Sequence, residues 1–239
     1  TSEKRSAAYL DLGAINRAER WTLEAMSIMG ELPQLVKRMV IINMVKRRPG
    51  AATIYLGRLK QMPFQSAWVM GYERKLREDP LLEHDAEIKA LRACMFKVDY
   101  VDTLTSEELL GFCLSTNPMN RMAFEYIMAT YLLTCRPDRI VANIGLFQNF
   151  GVPKIPRHCE EAILSFARAG GQQIALPAGY SINPETAKRY DMFLSIYNRY
   201  IGNPSTARGA LISEFGDTYW FFEAFGRSGK AFAMGVIRE

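Results

Sequence analysis

Three times along the chain an asparagine-proline pair stands directly before a run whose apolar residues recur three and four positions apart: Asn117-Pro118, Asn183-Pro184 and Asn203-Pro204. An asparagine side chain accepts hydrogen bonds from the first free amides of a helix. Proline at the first helical position gives up only an amide that has no partner inside the helix. After Asn117-Pro118 the run is Met119, Met122, Ala123, Tyr126, Ile127 and Thr130, a helical stripe. Thr105-Ser106-Glu107-Glu108 has the form of a capping box ahead of Leu109, Leu110, Phe112 and Leu114. Apolar-polar alternation closed by Asn-Gly or Asp-Gly turns, the mark of hairpin strands, is missing. The chain is therefore expected to be all-α.

Internal repetition narrows that class. Ala18 and Ala25 lie two helical turns apart, Ala52 and Leu59 stand 34 residues further on, and Ala86 and Ala93 another 34 beyond. Small residues two turns apart let a neighbouring helix approach closely, as stacked helical hairpins require. Tyr9, Leu12 and Gly13 lead into the first pair, and the whole looks like a degenerate tetratricopeptide repeat. In the second unit Asn43 and Arg47 replace Tyr9 and Gly13, and in the third Trp68, Gly71 and Tyr72 are out of register. The expected architecture is a right-handed α-solenoid of such hairpins. Residues 1–95 form its tetratricopeptide-like part. Residues 96–239 carry further hairpins, a long loop at about 170–183 and an aromatic C-terminal helix, all in one continuous domain. Within that loop Ile174, Leu176 and Tyr180 are the side chains able to pin it down.

Charge and cysteine content exclude several classes. The net charge of +5 hides 14 Lys and Arg against 6 Asp and Glu in residues 1–77, and 16 against 19 in the remainder. The basic clusters Lys37-Arg38, Lys46-Arg47-Arg48 and Arg74-Lys75 with Arg77 fall near expected helix ends, where cations complement the C-terminal dipole. They serve either as a solvated face or as a surface for anionic lipid, whereas nucleic-acid binding lacks interleaved aromatics and is not expected. The four cysteines, Cys94, Cys113, Cys135 and Cys159, form no CxxC pair, and His84 and His158 stand far apart, so no metal or other cofactor is expected. Hydrophobic residues make up 49% of the chain, yet no stretch reaches the roughly 18 uncharged apolar residues that a membrane helix needs. Thr1 is not an initiating methionine and no signal peptide follows it, so the chain is expected to be a processed or excised part of something longer.

Motifs for chemistry are sparse. Phosphate-loop, dinucleotide, serine-hydrolase and zincin signatures are missing. Glu125 follows Arg121 by four residues in apolar surroundings and is either a surface ion pair or a buried acid-base group. Asn117 and Asn120 suit cap and turn positions, with ligand contact as the alternative. Asp217 suits an N-cap ahead of Tyr219, Trp220, Phe221 and Phe222, the densest aromatic cluster in the chain. That cluster is core, a closing helix or a docking patch. With Tyr126, these residues (Asn117, Asn120, Glu125, Asp217, Tyr219 and Trp220) form the candidate binding set.

Three phrases carry a closer resemblance: Leu59-Lys60-Gln61-Met62-Pro63-Phe64 leading to Trp68, Asn117 through Tyr126, and Gly216-Asp217-Thr218-Tyr219-Trp220-Phe221. From the first hairpin to Phe225 the chain resembles the C-terminal soluble tail of an uncharacterised family of multi-pass membrane proteins from Bacteroidota. In that family a block of transmembrane helices precedes a tail of tetratricopeptide-like hairpins. The resemblance implies a parent in the bacterial inner membrane, with the side of the membrane open, and it implies no established activity. On this basis the chain is expected to be a non-catalytic interaction module that binds a partner protein or its own membrane domain. The alternative is an accessory domain of a membrane enzyme, acting for instance on lipid-linked sugars, whose catalytic residues lie elsewhere.

Overall fold

The computed structural model describes residues 1–95, 105–171 and 173–226, and within them the chain is all-helical, with fourteen helices and no strand. Packing divides it into two compact units, Thr1–Tyr126 and Ile127–Glu239, and the division falls within one helix, Arg121–Leu133. The expected change at residues 95 and 96 adjoins a segment outside the described residues.

The first unit begins with α1 (Ser2–Asp11) and α2 (Ile15–Met29), followed by α3 (Pro33–Val45) and α4 (Pro49–Lys60). Both hairpins close through the same backbone turn. The amides of Gly13 and Ala14 donate to the carbonyls of Leu10 and Tyr9, and those of Arg47 and Arg48 donate to Met44 and Asn43. This is the left-handed helix ending that captures carbonyls left open by the last turn. It needs positive φ at its central residue, which is +82° at Gly13 and 54° at Arg47. Arginine there accepts roughly 1 kcal/mol of strain that glycine escapes. In the second unit Cys135, at φ 51°, makes the same turn, its amide donating to Leu132 and that of Arg136 to Tyr131.

Small residues at the hairpin seams behave as the alanine spacing requires, but only in two of the three expected pairs. Ala18, Ala25, Ala52 and Leu59 are fully buried. Ser6 of α1 donates to the Ala18 carbonyl of α2 at 3.1 Å and draws the two helices together, while Thr22 donates to the same carbonyl within α2 at 2.6 Å. Ala86 and Ala93 are exposed instead. They lie on α6 (Ala86–Cys94), which buries Ile88 and follows α5 (Ser66–Glu78). α6 packs on α3 through Arg92, whose guanidinium donates to the carbonyls of Met44 and Leu81, each at 2.7 Å. An arginine bridge has replaced the small-residue contact there. Trp68 and Tyr72 of α5 stack at 4.7 Å.

α7 (Ser106–Thr116) opens on the expected capping box, with Thr105 accepting from the Glu108 amide and Glu108 accepting from that of Thr105. α8 (Arg121–Leu133) does not start where Asn117-Pro118 predicted. Asn117 turns its side chain onto the Met119 amide at 3.0 Å, and Asn120 caps the helix by accepting from Ala123 at 3.0 Å. Asn120 wins because its amide group also donates to the Leu12 carbonyl at 3.2 Å, a stronger tertiary anchor than the 3.4 Å contact of Asn117 with the Cys94 sulfur.

The second unit holds α9 (Pro137–Ala142), α10 (Leu146–Asn149), α11 (Arg157–Gly170), α12 (Pro184–Arg199), α13 (Pro204–Phe215) and α14 (Tyr219–Phe225). Asn183 and Asn203 cap α12 and α13 with proline at the first position, as the sequence predicts. Between α11 and α12 the described part of the long loop is non-helical. The Tyr180 hydroxyl holds it by donating to the Val152 carbonyl at 2.6 Å. Ile174 and Leu176 line an open groove against α11 rather than filling the core.

Gly13 provides the sharpest test of the hairpin turn. A Cβ there would overlap the Cys94 carbonyl, whereas Gly30, at a similar φ of +80°, has open space around it. Gly13→Ala is expected to destabilise the chain by about 3 kcal/mol or more, and Gly30→Ala, at a ψ of −178° that is essentially confined to glycine but free of contacts, by about 1–3 kcal/mol, as read by urea denaturation. Equal effects would mean that φ alone, and not the Cys94 contact, constrains the turn.

Candidate functional site

The expected site residues fall into two groups, one in each unit. In the first, Asn117 and Asn120 are consumed by local and tertiary backbone bonds, and Asn117 also donates toward the Cys94 sulfur at 3.4 Å. Glu125 is on the surface, 56% exposed, in a 2.7 Å ion pair with Arg121 one helical turn away. Of its two expected roles the structure supports the ion pair, because the carboxylate stands on the surface beside Arg121 and is not buried. Tyr126 is half exposed on the same helix.

In the second unit the expected aromatic cluster turns inward. Trp220 is fully buried, stacked on Tyr190 at 4.6 Å beside Phe193, which in turn meets Phe215 edge-on at 5.6 Å. Ring pairs of this kind add about 0.5–1.5 kcal/mol each to the burial they bring. Tyr219 is 4% exposed and Trp220 0%, so these two rings belong to the core. The N-cap of α14 is Thr218, whose hydroxyl accepts from the Phe221 amide at 3.2 Å, and not Asp217 as predicted. Asp217 is drawn away by two arginines, Arg157 and Arg189, each at 2.8 Å. Their hydrogen bonds hold its carboxyl below the usual carboxylate range, that of Arg157 most strongly.

The residue that organises this region is Glu161, which the sequence did not single out. Its carboxylate is 1% exposed on α11, accepts from Arg157 at 2.8 Å, and lies 2.9 Å from Nδ1 of His158. It also accepts from the Tyr219 backbone amide at 2.7 Å, while its own carbonyl receives the Trp220 indole N–H at 2.8 Å. A buried carboxylate held by an arginine and an open helix amide is a strong charge-assisted arrangement. Glu160 beside it is similarly buried and accepts from the Thr186 hydroxyl at 2.9 Å and the Asn183 amide at 3.3 Å.

A third carboxylate, Glu223, faces Ser165 at 2.6 Å and the Tyr219 hydroxyl at 3.2 Å. Burial raises its pKa, against the lowering effect of these two hydrogen bonds. Burial also pushes the Tyr190 hydroxyl up to about 12 and the Cys159 thiol up to about 12. These groups are desolvated by the core around them.

Two concavities flank the Glu161 junction. A polar cleft of about 500 Å³ is lined by Lys154, Arg157, Glu160, Tyr180, Asn183 and Thr186. An apolar groove of about 400 Å³ runs past Ala129, Leu132, Leu133, Tyr219 and Phe222, with Leu133 65% exposed. Among the described residues no group of three His, Cys, Asp or Glu side chains is placed to hold a metal ion, and no helix is long and apolar enough to cross a membrane.

The two classes of carboxylate predict different costs. Glu161→Ala should destabilise the chain by about 3 kcal/mol, because the Tyr219 amide and Arg157 lose a buried partner, while Glu125→Ala should stay within about 0.5 kcal/mol. Glu223 gives a pH signature. A carboxyl whose folded pKa is raised contributes stability that is fully present below its unfolded value of 4.5 and is lost as pH rises through the folded value. Glu223→Gln should therefore raise the melting temperature at neutral pH, and the gain should vanish below about pH 4.5. A gain independent of pH would mean that the effect is packing and not ionisation.

No curated protein and no solved structure matches this chain. A family model matches residues 1–226, from α1 to the residue that closes α14. The chain belongs to the family of unknown function DUF6057.

Proposed function

We propose that this chain is a non-catalytic interaction module built as a solenoid of tetratricopeptide-like hairpins, the soluble tail of a bacterial inner-membrane protein, which binds a partner protein or its own membrane domain. The observation that carries this reading is the recurrence of one hairpin turn, at Gly13, again 34 residues later at Arg47, and once more at Cys135. After Gly13 and Arg47 the second helix of each hairpin packs on the first and α2 packs on α3, and stacks of such hairpins present long open surfaces for extended segments. The fate of the carboxylates supports the same reading: Glu125 pairs on the surface, and Glu160, Glu161 and Asp217 are engaged by amides, hydroxyls and arginines within the fold. The apolar groove beside Leu133 offers a seat for apolar side chains of a partner.

A photo-crosslinking residue at exposed Ala129, introduced into the protein in its native host, tests the reading. One discrete adduct is expected, either to a separate protein or to the membrane portion of the same polypeptide. It should fall about tenfold when Leu133→Asp places a charge in the groove, equivalent to about 1.4 kcal/mol. An adduct pattern unchanged by Leu133→Asp, or none, would overturn the module reading for this face.

A further inference from the structure

One end of the first unit combines protruding apolar side chains with exposed cations. Four contacts bring the relevant helix termini together. The Ser2 hydroxyl donates to Glu24 at 3.3 Å, and Arg38 donates to the Glu3 carbonyl at 3.1 Å. Arg58 pairs with Glu31, and the Lys37 ammonium lies 5.2 Å from the centre of the Trp68 ring. The start of α1, the end of α2, the start of α3, the end of α4 and the start of α5 therefore share this end.

The turn from α4 to α5 projects Phe64 from it. Phe64 is 99% exposed, and its φ of 61° lies in the left-handed region that a phenylalanine avoids. It bears backbone strain of about 1 kcal/mol and leaves a large ring in water, with no contact inside the fold in return. From the adjoining end of α2, Ile28 and Met29 project 70% and 43% exposed. Lys4, Arg5, Arg58 and Lys60 are exposed at the same end, Arg58 paired with Glu31 and Lys60 3.5 Å from Glu73; with Lys37 and Arg38, six cations there stand against the four carboxylates Glu3, Glu24, Glu31 and Glu73. A second acidic group lies between α5 and α6, where Glu83 pairs with Arg47, Asp85 with Lys75, and Asp79 accepts from the His84 amide.

The geometry points to an anionic lipid surface as the partner of this end, with Phe64 as the inserting side chain and Ile28 and Met29 beside it. Phe64 stands almost wholly in solvent beside the exposed Ile28 and Met29, which suits a flat, deformable headgroup layer better than the convex surface of another protein. The excess of cations complements acidic headgroups, each exposed Lys or Arg contributing up to roughly 1 kcal/mol at such a surface. The inserted ring adds the transfer of its apolar area into the acyl boundary. This inference deepens the interaction-module reading and rests on it, giving the module a second and non-protein contact remote in sequence from Leu133.

Co-sedimentation of the purified chain with vesicles tests it. Binding is expected to equimolar phosphatidylcholine and phosphatidylglycerol, to weaken with added salt, and to be slight on phosphatidylcholine alone. Phe64→Ser should reduce binding roughly tenfold, the scale of one lost ring contact, with the melting temperature kept because the ring packs on nothing. Arg58→Glu with Lys60→Glu should weaken it further. Leu133→Asp should leave vesicle binding unchanged, so failure of the groove reading and failure of this one are separately visible. Equal binding to both vesicle types, binding to neither, or full binding by Phe64→Ser would overturn the inference. So would Phe64-dependent capture of a protein without vesicle binding, which would assign this end to that protein.

Discussion

Reversing an α-helix within three residues leaves its last carbonyls without amide partners, and the left-handed turn is how this chain satisfies them. At Gly13, Arg47 and Cys135 a residue at positive φ lets the following amide reach back five residues to a carbonyl of the finished helix. After Gly13 and Arg47 the next helix then returns against the last. At the first turn the Gly13 backbone also meets the Cys94 carbonyl, so one glycine serves a local reversal and a tertiary approach together. Because helices alternate in direction, their termini collect at opposite ends of the unit, which is how Phe64, Ile28 and six cations come to share one surface.

The second unit depends on a carboxylate acting across sequence. Glu161 closes the amide end of a helix whose first residue lies 58 positions later, and the indole of Trp220 is tied to the same residue. With Arg157 shared between Glu161 and Asp217, α11, α14 and the turn before it are locked by one charge network. Such a network stabilises only when every member is paired, which is why the buried Glu160 and Glu161 each have several donors.

How far this could be read from residues alone differs from element to element. The capping box at Thr105 and the caps at Asn183 and Asn203 were legible because their partners lie within three residues. Asn117 and Asn120 offered equal local chemistry, and the Leu12 carbonyl, more than a hundred residues away, decided between them. The alanine phase found the seams at Ala18 and Ala52 but overran at Ala86, where Arg92 makes the contact instead. Around the site, the phrase from Asp217 to Trp220 marked the right place with the wrong roles. Glu161 escaped notice because what buries it, the Tyr219 amide and the Trp220 ring, comes from almost 60 residues away, and nothing local separates it from an outward acid.

The sequence by itself determined the helical class, where several helices begin, and the spacing of the first two hairpin turns, since caps and turns close over three to five residues and need no neighbour. The tertiary structure alone decided which charges are core and which are surface. Burial of Glu161 against Tyr219, exposure of Glu125 beside Arg121, and the isolation of Phe64 each depend on what chain from elsewhere covers the side chain, and that information is not local.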